Sequence, residues 1–247
     1  MRKQLTLLQR LATALFVLSV PVVLITSNVR FAANEVRLYQ YGFDRYNAEA
    51  RTGIPRPELD RAARGLITYF SSDQRTVDIR VEEDGRQVPL FNQRETLHLA
   101  DVKNLLRLVF RTQEIALALA LTYVVAAFVL RRQAGLRRLA TEVAAGAGLA
   151  LAIVVGLGGF ALIGFDDLFQ RFHLLAFTND FWQLNPRTDH LIQMFPQGFW
   201  FDATMFIGLL TLAEAAALGL PAFLFLRRYR QRAERPLPLQ STLQAPK

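Results

Sequence analysis

Cysteine is absent from all 247 residues. Disulfides, thiolate metal sites and thiol nucleophiles are therefore excluded, and the redox compartment is unreadable. Histidine is nearly as scarce, with His98, His173 and His190 the only imidazoles. There is no G-x-S-x-G elbow, no H-E-x-x-H zinc helix and no glycine-rich phosphate loop. No H-x₃-H pair occurs either, so three histidines with Asp nearby carry only a weak zinc signal, and no metal site is assigned. The formal charge is +8, yet it is not spread like a nucleic-acid footprint, and no nucleic-acid partner is expected. No repeat is evident. Low complexity is limited to the tail "PLPLQSTLQAPK" after Arg235, which reads as disordered cytoplasmic sequence.

What the chain has in excess is apolar residues, 52% of the total. They gather into four runs: Leu11–Thr26, Ile115–Leu130, Val143–Gly164 and Phe206–Leu226. A helix crosses the hydrocarbon core with about 20 apolar residues, within a range of about 17–25. The third and fourth runs reach this, and the first two borrow a turn from their flanks. Lipid leaves no backbone group unpaired, so these runs are helices. The pattern predicts an all-α polytopic membrane protein with four transmembrane helices and a small mixed α/β extracytoplasmic cap. The "GAGLALAIVVGLGG" stretch of the third span suits close helix packing. Glu214 falls near the centre of the fourth span, where a carboxylate is a functional hypothesis by default. No partner for it is readable.

Arg and Lys set the orientation. Basic flanks at Arg2, Lys3 and Arg10, at Arg131, Arg132, Arg137 and Arg138, and across "RRYRQRAER" belong in the cytoplasm. The 165–203 loop has Arg171 and Arg187 against five Asp and belongs outside. The long 27–113 loop translocates largely regardless of charge. The expected order is residues 1–26, cytoplasmic N-terminus and first span; 27–113, an outer loop; 114–164, second and third spans; 165–203, an outer aromatic loop; 204–226, the fourth span; and 227–247, a basic cytoplasmic tail. The first run also has the basic-then-apolar order of a signal peptide. No A-x-A site follows it, and cleavage would leave an odd number of spans.

Within the first outer loop, "PRPELDRAARGLITYFSS" places Ala62, Leu66 and Phe70 at helical spacing. "TVDIRVEEDGRQVPLF" alternates around Asp84-Gly85 and reads as a hairpin. "NQRETLHLADVKNLLRLVF" is helical and runs into the second span. In the second outer loop, Phe165, Leu168, Phe169 and Phe172 form a stripe beside His173, read as an interfacial helix. "NPR" turns the chain, and Phe195, Phe199 and Trp200 return it to the bilayer as an aromatic belt.

Glu95, His98 and Asp101 stand one helical turn apart, so a carboxylate could hold the imidazole in one tautomer. An ordinary solvated helix face fits the same spacing. His173 on an aromatic stripe is equally readable as a packed side chain, and His190 in a turn-rich loop is uninformative. The topology nevertheless puts all three histidines on one side, near span ends. That arrangement is compatible with a shared site for proton transfer.

Two motifs, "FNQRETLHLADVKNL" and "FHLLAFTNDFWQLNPRTDHLIQMFPQGFW", together with "YNAEARTGI" and "ELDRAARGLITYF", resemble the lipoprotein intramolecular transacylase family, four-span bacterial membrane proteins. The resemblance covers nearly the whole chain. It implies an acyltransferase of the bacterial cytoplasmic membrane whose substrate is a diacylated lipoprotein. One acyl chain moves from the glyceride to the amine of the N-terminal cysteine, giving the lyso form, without a cofactor. It implies that His98 and His173 are the catalytic pair. Asp101 and Asp180 would then orient the imidazoles, and Lys103 and Asn179 would serve as oxyanion donors. Phe169, Phe172, Trp182, Phe195, Phe199 and Trp200 would contact lipid. His190 stands inside the T-D-x-L-I stretch, and the resemblance gives it no role. A non-enzymatic lipid- or partner-binding scaffold and a metal-dependent membrane hydrolase are the alternatives, and the oligomeric state is not readable.

Overall fold

The computed structural model describes residues 2–83 and 85–233. The Pro-containing tail and Asp84 of the expected hairpin turn lie outside the described residues. In chain order the elements are α1 (Arg2–Asn34), α2 (Val36–Arg45), α3 (Ala48–Thr52), α4 (Arg56–Ser71), β1 (Arg80–Glu83), β2 (Arg86–Pro89), α5 (Gln93–Ala176), α6 (His190–Met194) and α7 (Gln197–Ala233).

The 84 residues of α5 cannot form one straight rod. The Tyr123 hydroxyl donates to both Glu142 carboxylate oxygens at 2.8 Å, across 19 residues of the same run. In a straight helix those residues would stand about 28 Å apart. The run therefore folds back between them, giving a descending arm, Gln93–Val129, and an ascending arm, Gly135–Ala176. With Leu7–Asn34 and Gln197–Arg232 this makes four helices long and apolar enough to cross a membrane. Their outer faces carry bare apolar side chains, Ile163 being 89% exposed. A continuous sheath of this kind is stable only in lipid, so the chain is a multi-pass membrane protein.

Polar ties hold the helices where apolar packing drives no association. Buried Glu142 accepts from Thr13 Oγ1 at 2.9 Å, from Tyr123 and from Arg138 Nε at 2.8 Å. Phe16 stacks on Tyr123 with centroids 4.6 Å apart. One carboxylate thus joins α1 to both arms near the fold-back. Asn28 Nδ2 donates to Glu214 Oε2 at 2.8 Å and to Thr211 Oγ1 at 3.1 Å, tying α1 to α7. This is the partner for Glu214 that sequence spacing did not reveal. The Arg137 guanidinium lies over Tyr229, 5.0 Å from the ring centroid, so the C-terminal turns of α7 sit at the fold-back end.

The opposite end of the bundle bears the cap. α2, α4, the two-stranded sheet and α6 enclose a core that includes Phe43, Leu59, Leu66, Leu90, Leu99, Met194, Phe195 and Phe199. The antiparallel hairpin pairs Val81 with Val88, and Gly85 takes a positive φ of 74° as the turn demands. The cap sits directly on α7 through two glycines. A Cβ on Gly42 would stand 2.5 Å from the Phe199 ring, and one on Gly198 would stand 2.6 Å from the Tyr46 ring.

The expected interfacial helix after Gly164 is not a separate element. No breaker interrupts Phe165–Ala176, so these residues continue the ascending arm as a single helix up to Phe177. Likewise α7 begins at Gln197, well before the apolar run itself.

Candidate active site

The site is assembled where the N-terminus of α5 meets its C-terminus. The start of the run is fixed by a capping box: Glu95 N donates to Asn92 Oδ1 at 3.0 Å, and Asn92 N donates to Glu95 Oε2 at 2.8 Å. The other oxygen of buried Glu95 accepts from Leu191 N at 2.6 Å. Glu95 therefore fastens α6 to α5 and does not hold His98, which corrects the expectation from spacing. Asp189, also buried, accepts from Asn92 Nδ2 at 3.0 Å and from Asn185 N at 2.7 Å. The N-x-x-E pattern of "FNQRETL" signals that box in the sequence; nothing there signals Asp189 as its partner.

One turn below the cap residues, His98 faces His173 of the ascending arm. The ring centroids are 6.1 Å apart and the planes 35° apart, and each residue is only 7% exposed. An aromatic shell surrounds them. Phe177 lies 5.2 Å from His98 and 5.6 Å from His173. Phe169, Trp182 and Phe172 stand 4.3, 4.9 and 5.3 Å from His173.

His173 Nδ1 lies 2.7 Å from the Phe169 carbonyl oxygen. A carbonyl only accepts, so Nδ1 carries the proton and Nε2 is left to accept one. His98 Nδ1 is buried with no partner. A buried unpaired N–H is less tolerable than an unpaired lone pair, so the His98 proton belongs on Nε2. Two rings this close also disfavour carrying a positive charge at the same time.

Three of the supporting residues, Asp101, Asp180 and Lys103, make other bonds than expected. Asp101 Oδ2 accepts from Asn179 Nδ2 at 2.9 Å. The Arg94 guanidinium donates to the Asp180 carbonyl and lies 3.3 Å from its carboxylate. Among the described residues neither Asp bonds an imidazole; together they strap the 177–189 segment to α5, so that Phe177 and Trp182 cover the rings. Lys103 is five residues beyond His98, roughly 140° around the helix. It donates to the Gln74 carbonyl at 2.6 Å and lies over the Tyr69 ring at 4.0 Å. It is a tie to the cap, not an oxyanion donor.

The lipid-contact expectation divides in the same way. Phe172 and Trp200 are exposed, and Phe169 and Trp182 are half-buried. Phe195 and Phe199 are 5% and 3% exposed and belong to the cap core, because α2 packs over the first turns of α7. His190 Nδ1 lies 2.8 Å from the Leu90 carbonyl, which places that imidazole in the cap scaffold. Among the described residues no group of three or more His, Cys, Asp or Glu is arranged to hold a metal ion. Asp202 on α7 accepts from Tyr41 and Tyr46 at 2.9 and 2.7 Å. Burial, and then the Asp202 bond, push the Tyr46 hydroxyl up to about 12, so it remains a donor to α7.

Comparison with known proteins bears on this arrangement. An uncharacterised protein of Aquifex aeolicus (strain VF5) is 23% identical over 206 residues, covering 83% of this chain and 89% of the relative. The in meso structure of the membrane integral lipoprotein intramolecular transacylase Lit from Bacillus cereus shares the fold, with a TM-score of 0.74 at 22% identity, covering 91% of this chain and 98% of that one. A variant of the same protein with one histidine replaced by alanine gives a TM-score of 0.73 at 20% identity, covering 93% of this chain and 98% of that one. The model of the family described as lipoprotein intramolecular transacylase Lit matches residues 14–200, which takes in the cap, both arms of α5 and the imidazole pair, and the chain belongs to that family.

Proposed function

We propose that this chain transfers an acyl group within a diacylated lipoprotein, from its glyceride to the amine of its N-terminal cysteine, and that His173 moves the protons while His98 donates a hydrogen bond to the leaving oxygen. The carrying observation is the approach of the two imidazoles to 6.1 Å inside an aromatic shell at the cap end of the bundle. Donor and acceptor lie in one substrate molecule, so the protein has mainly to orient them. The substrate ammonium gives a proton to His173 Nε2, and the freed nitrogen attacks the ester carbonyl. The C–N bond forms and the C–O bond breaks. His173 returns its proton to the leaving glycerol oxygen, and its freed Nε2 takes the second amine proton and passes it to water; His98 Nε2–H hydrogen-bonds the leaving oxygen and keeps its own proton. Asn179, with one amide hydrogen on Asp101, has another for the developing oxyanion. Phe172 and Trp200, exposed beside the pair, are suited to the acyl chains.

The basic residues Arg137, Arg138, Arg227, Arg228, Arg230 and Arg232 cluster at the end of the bundle away from the cap. The positive-inside rule puts that end, and both termini, in the cytoplasm of a bacterium. The cap and the imidazole pair then face outward across the cytoplasmic membrane.

Mass spectrometry of a lipoprotein N-terminus co-expressed with the chain tests the reading. An acylated amine with a vacated glycerol position is expected, and it should vanish with His98→Ala or His173→Ala at equal protein level. Transfer that persists in both variants would point to a scaffold and end the proposal.

A further inference from the structure

Beside the imidazole pair, on the side away from the bilayer, lies a cleft of about 530 Å³ lined by Asn92, Gln93, Arg94, Leu97 and Phe181. It is open to water over most of its extent, as a groove for a chain leading outward would be. Arg94 and His98 are four residues apart, so they share a face of the descending arm. Arg94 is about 6 Å farther from the membrane along the axis. Leu97 precedes His98, and Phe181 precedes Trp182, whose ring lies 4.9 Å from His173. The cleft therefore adjoins the pair and leads from it toward water.

Its lining is suited to peptide. The exposed Gln93 amide makes no hydrogen bond among the described residues, and it can both donate and accept. Arg94 Nε is buried without a partner while its Nη2 is engaged by Asp180. Leu97 and Phe181 supply apolar walls. Acyl chains need neither an amide nor a guanidinium. A phosphate would meet the Asp180 carboxylate, 3.3 Å from the only lining cation.

We infer that this cleft receives the polypeptide of the substrate, the first residues that follow the lipid-bearing cysteine. The inference rests on the acyl-transfer reading. The acyl chains of such a substrate stay in the bilayer while its protein part must leave for water, and the cleft is the opening that joins the two. Gln93 pairs with the peptide backbone, and Leu97 and Phe181 sort the side chains. The protein thereby distinguishes a lipoprotein from a bare lipidated cysteine.

Kinetics on two substrates test it: a diacylated lipoprotein, and diacylglyceryl-cysteine amide with no following residues. Gln93→Trp narrows the cleft and removes its amide, and Phe181→Ala removes a wall. Loss of one or two hydrogen bonds, or of one aromatic wall, is worth about tenfold, so each variant should lower the ratio of kcat/KM, long substrate over short, by about tenfold. A ratio unchanged within about twofold, even if both rates fall together, overturns the inference and leaves the cleft structural. Inhibition by phosphatidylglycerol vesicles that Gln93→Trp relieves, equal for the long and the short substrate, would also overturn it, in favour of a headgroup site. A diazirine analogue of leucine at position 97, close to the natural side chain in size, separates the two readings. Capture of lipoprotein polypeptide without turnover would sink acyl transfer and keep the cleft; turnover without capture would do the reverse.

Discussion

At the scale of single residues the structure separates two facing imidazoles from the groups that hold them in place. His98→Ala or His173→Ala should lower turnover by about 100-fold or more, since one removes the donor to the leaving oxygen and the other the proton carrier. His173→Gln refines the test, because its amide can still donate to the Phe169 carbonyl but cannot take a proton. It should melt like the parent and remain inactive; wild-type turnover would remove His173 from the chemistry. Asp101→Asn should retain more activity than Asp101→Ala, because an amide oxygen can still accept from Asn179 and keep the 177–189 segment strapped down. Equal loss in the two variants would return Asp101 to direct contact with an imidazole. The two histidines were legible in the sequence because motif and topology agreed on them. The roles of Asp101, Asp180, Lys103 and Glu95 were not. Spacing along a helix shows which side chains are near one another, but not which distant donor wins them. Here the winners were Asn179, Arg94, the Gln74 carbonyl and Leu191 N, all brought in by tertiary packing.

At the scale of elements, the four apolar helices, α4 and the hairpin were readable from periodicity and run length, which are local properties. α2, α3 and α6 were not. They are short, and the face of α2 is interrupted by Gly42, whose value lies in its closeness to Phe199. Gly42→Ala puts a methyl group against a buried ring with no room to turn, at a cost of about 1–3 kcal/mol. A lower melting temperature in detergent is the expected result, and an unchanged one would mean that α2 stands off from α7. Glu142→Ala should also destabilise, by about 2 kcal/mol, since Tyr123, Thr13 and Arg138 lose a charged acceptor together. The same measurement checks it, with Tyr123→Phe expected to show a smaller loss of the same sign. The stripe from Phe165 to Phe172 was legible as amphipathic, but amphipathicity does not tell a separate surface helix from the last turns of a span. Only the lack of a breaker before Phe177 does, and that is a weak signal in a chain so rich in apolar residues.

At the scale of the whole molecule, the absence of cysteine becomes an experimental asset. Single substitutions Asp73→Cys, on the cap, and Arg230→Cys, near the end of α7, give a chain with one thiol each. An impermeant maleimide applied to intact cells should label the first and spare the second. The opposite pattern would invert the orientation and place the imidazole pair inside the cell. A further consequence follows from the fold-back of α5. His98 and His173 are the tips of two prongs that meet at a common pivot, with Glu142 as the rivet beside it. Each prong is roughly 50 Å long. By plain leverage, a single degree of splay at the pivot widens the gap between the tips by about 1 Å, which is enough to separate a proton carrier from its target. A knot of side chains across the full thickness of the bilayer thus calibrates the gap between the two imidazoles.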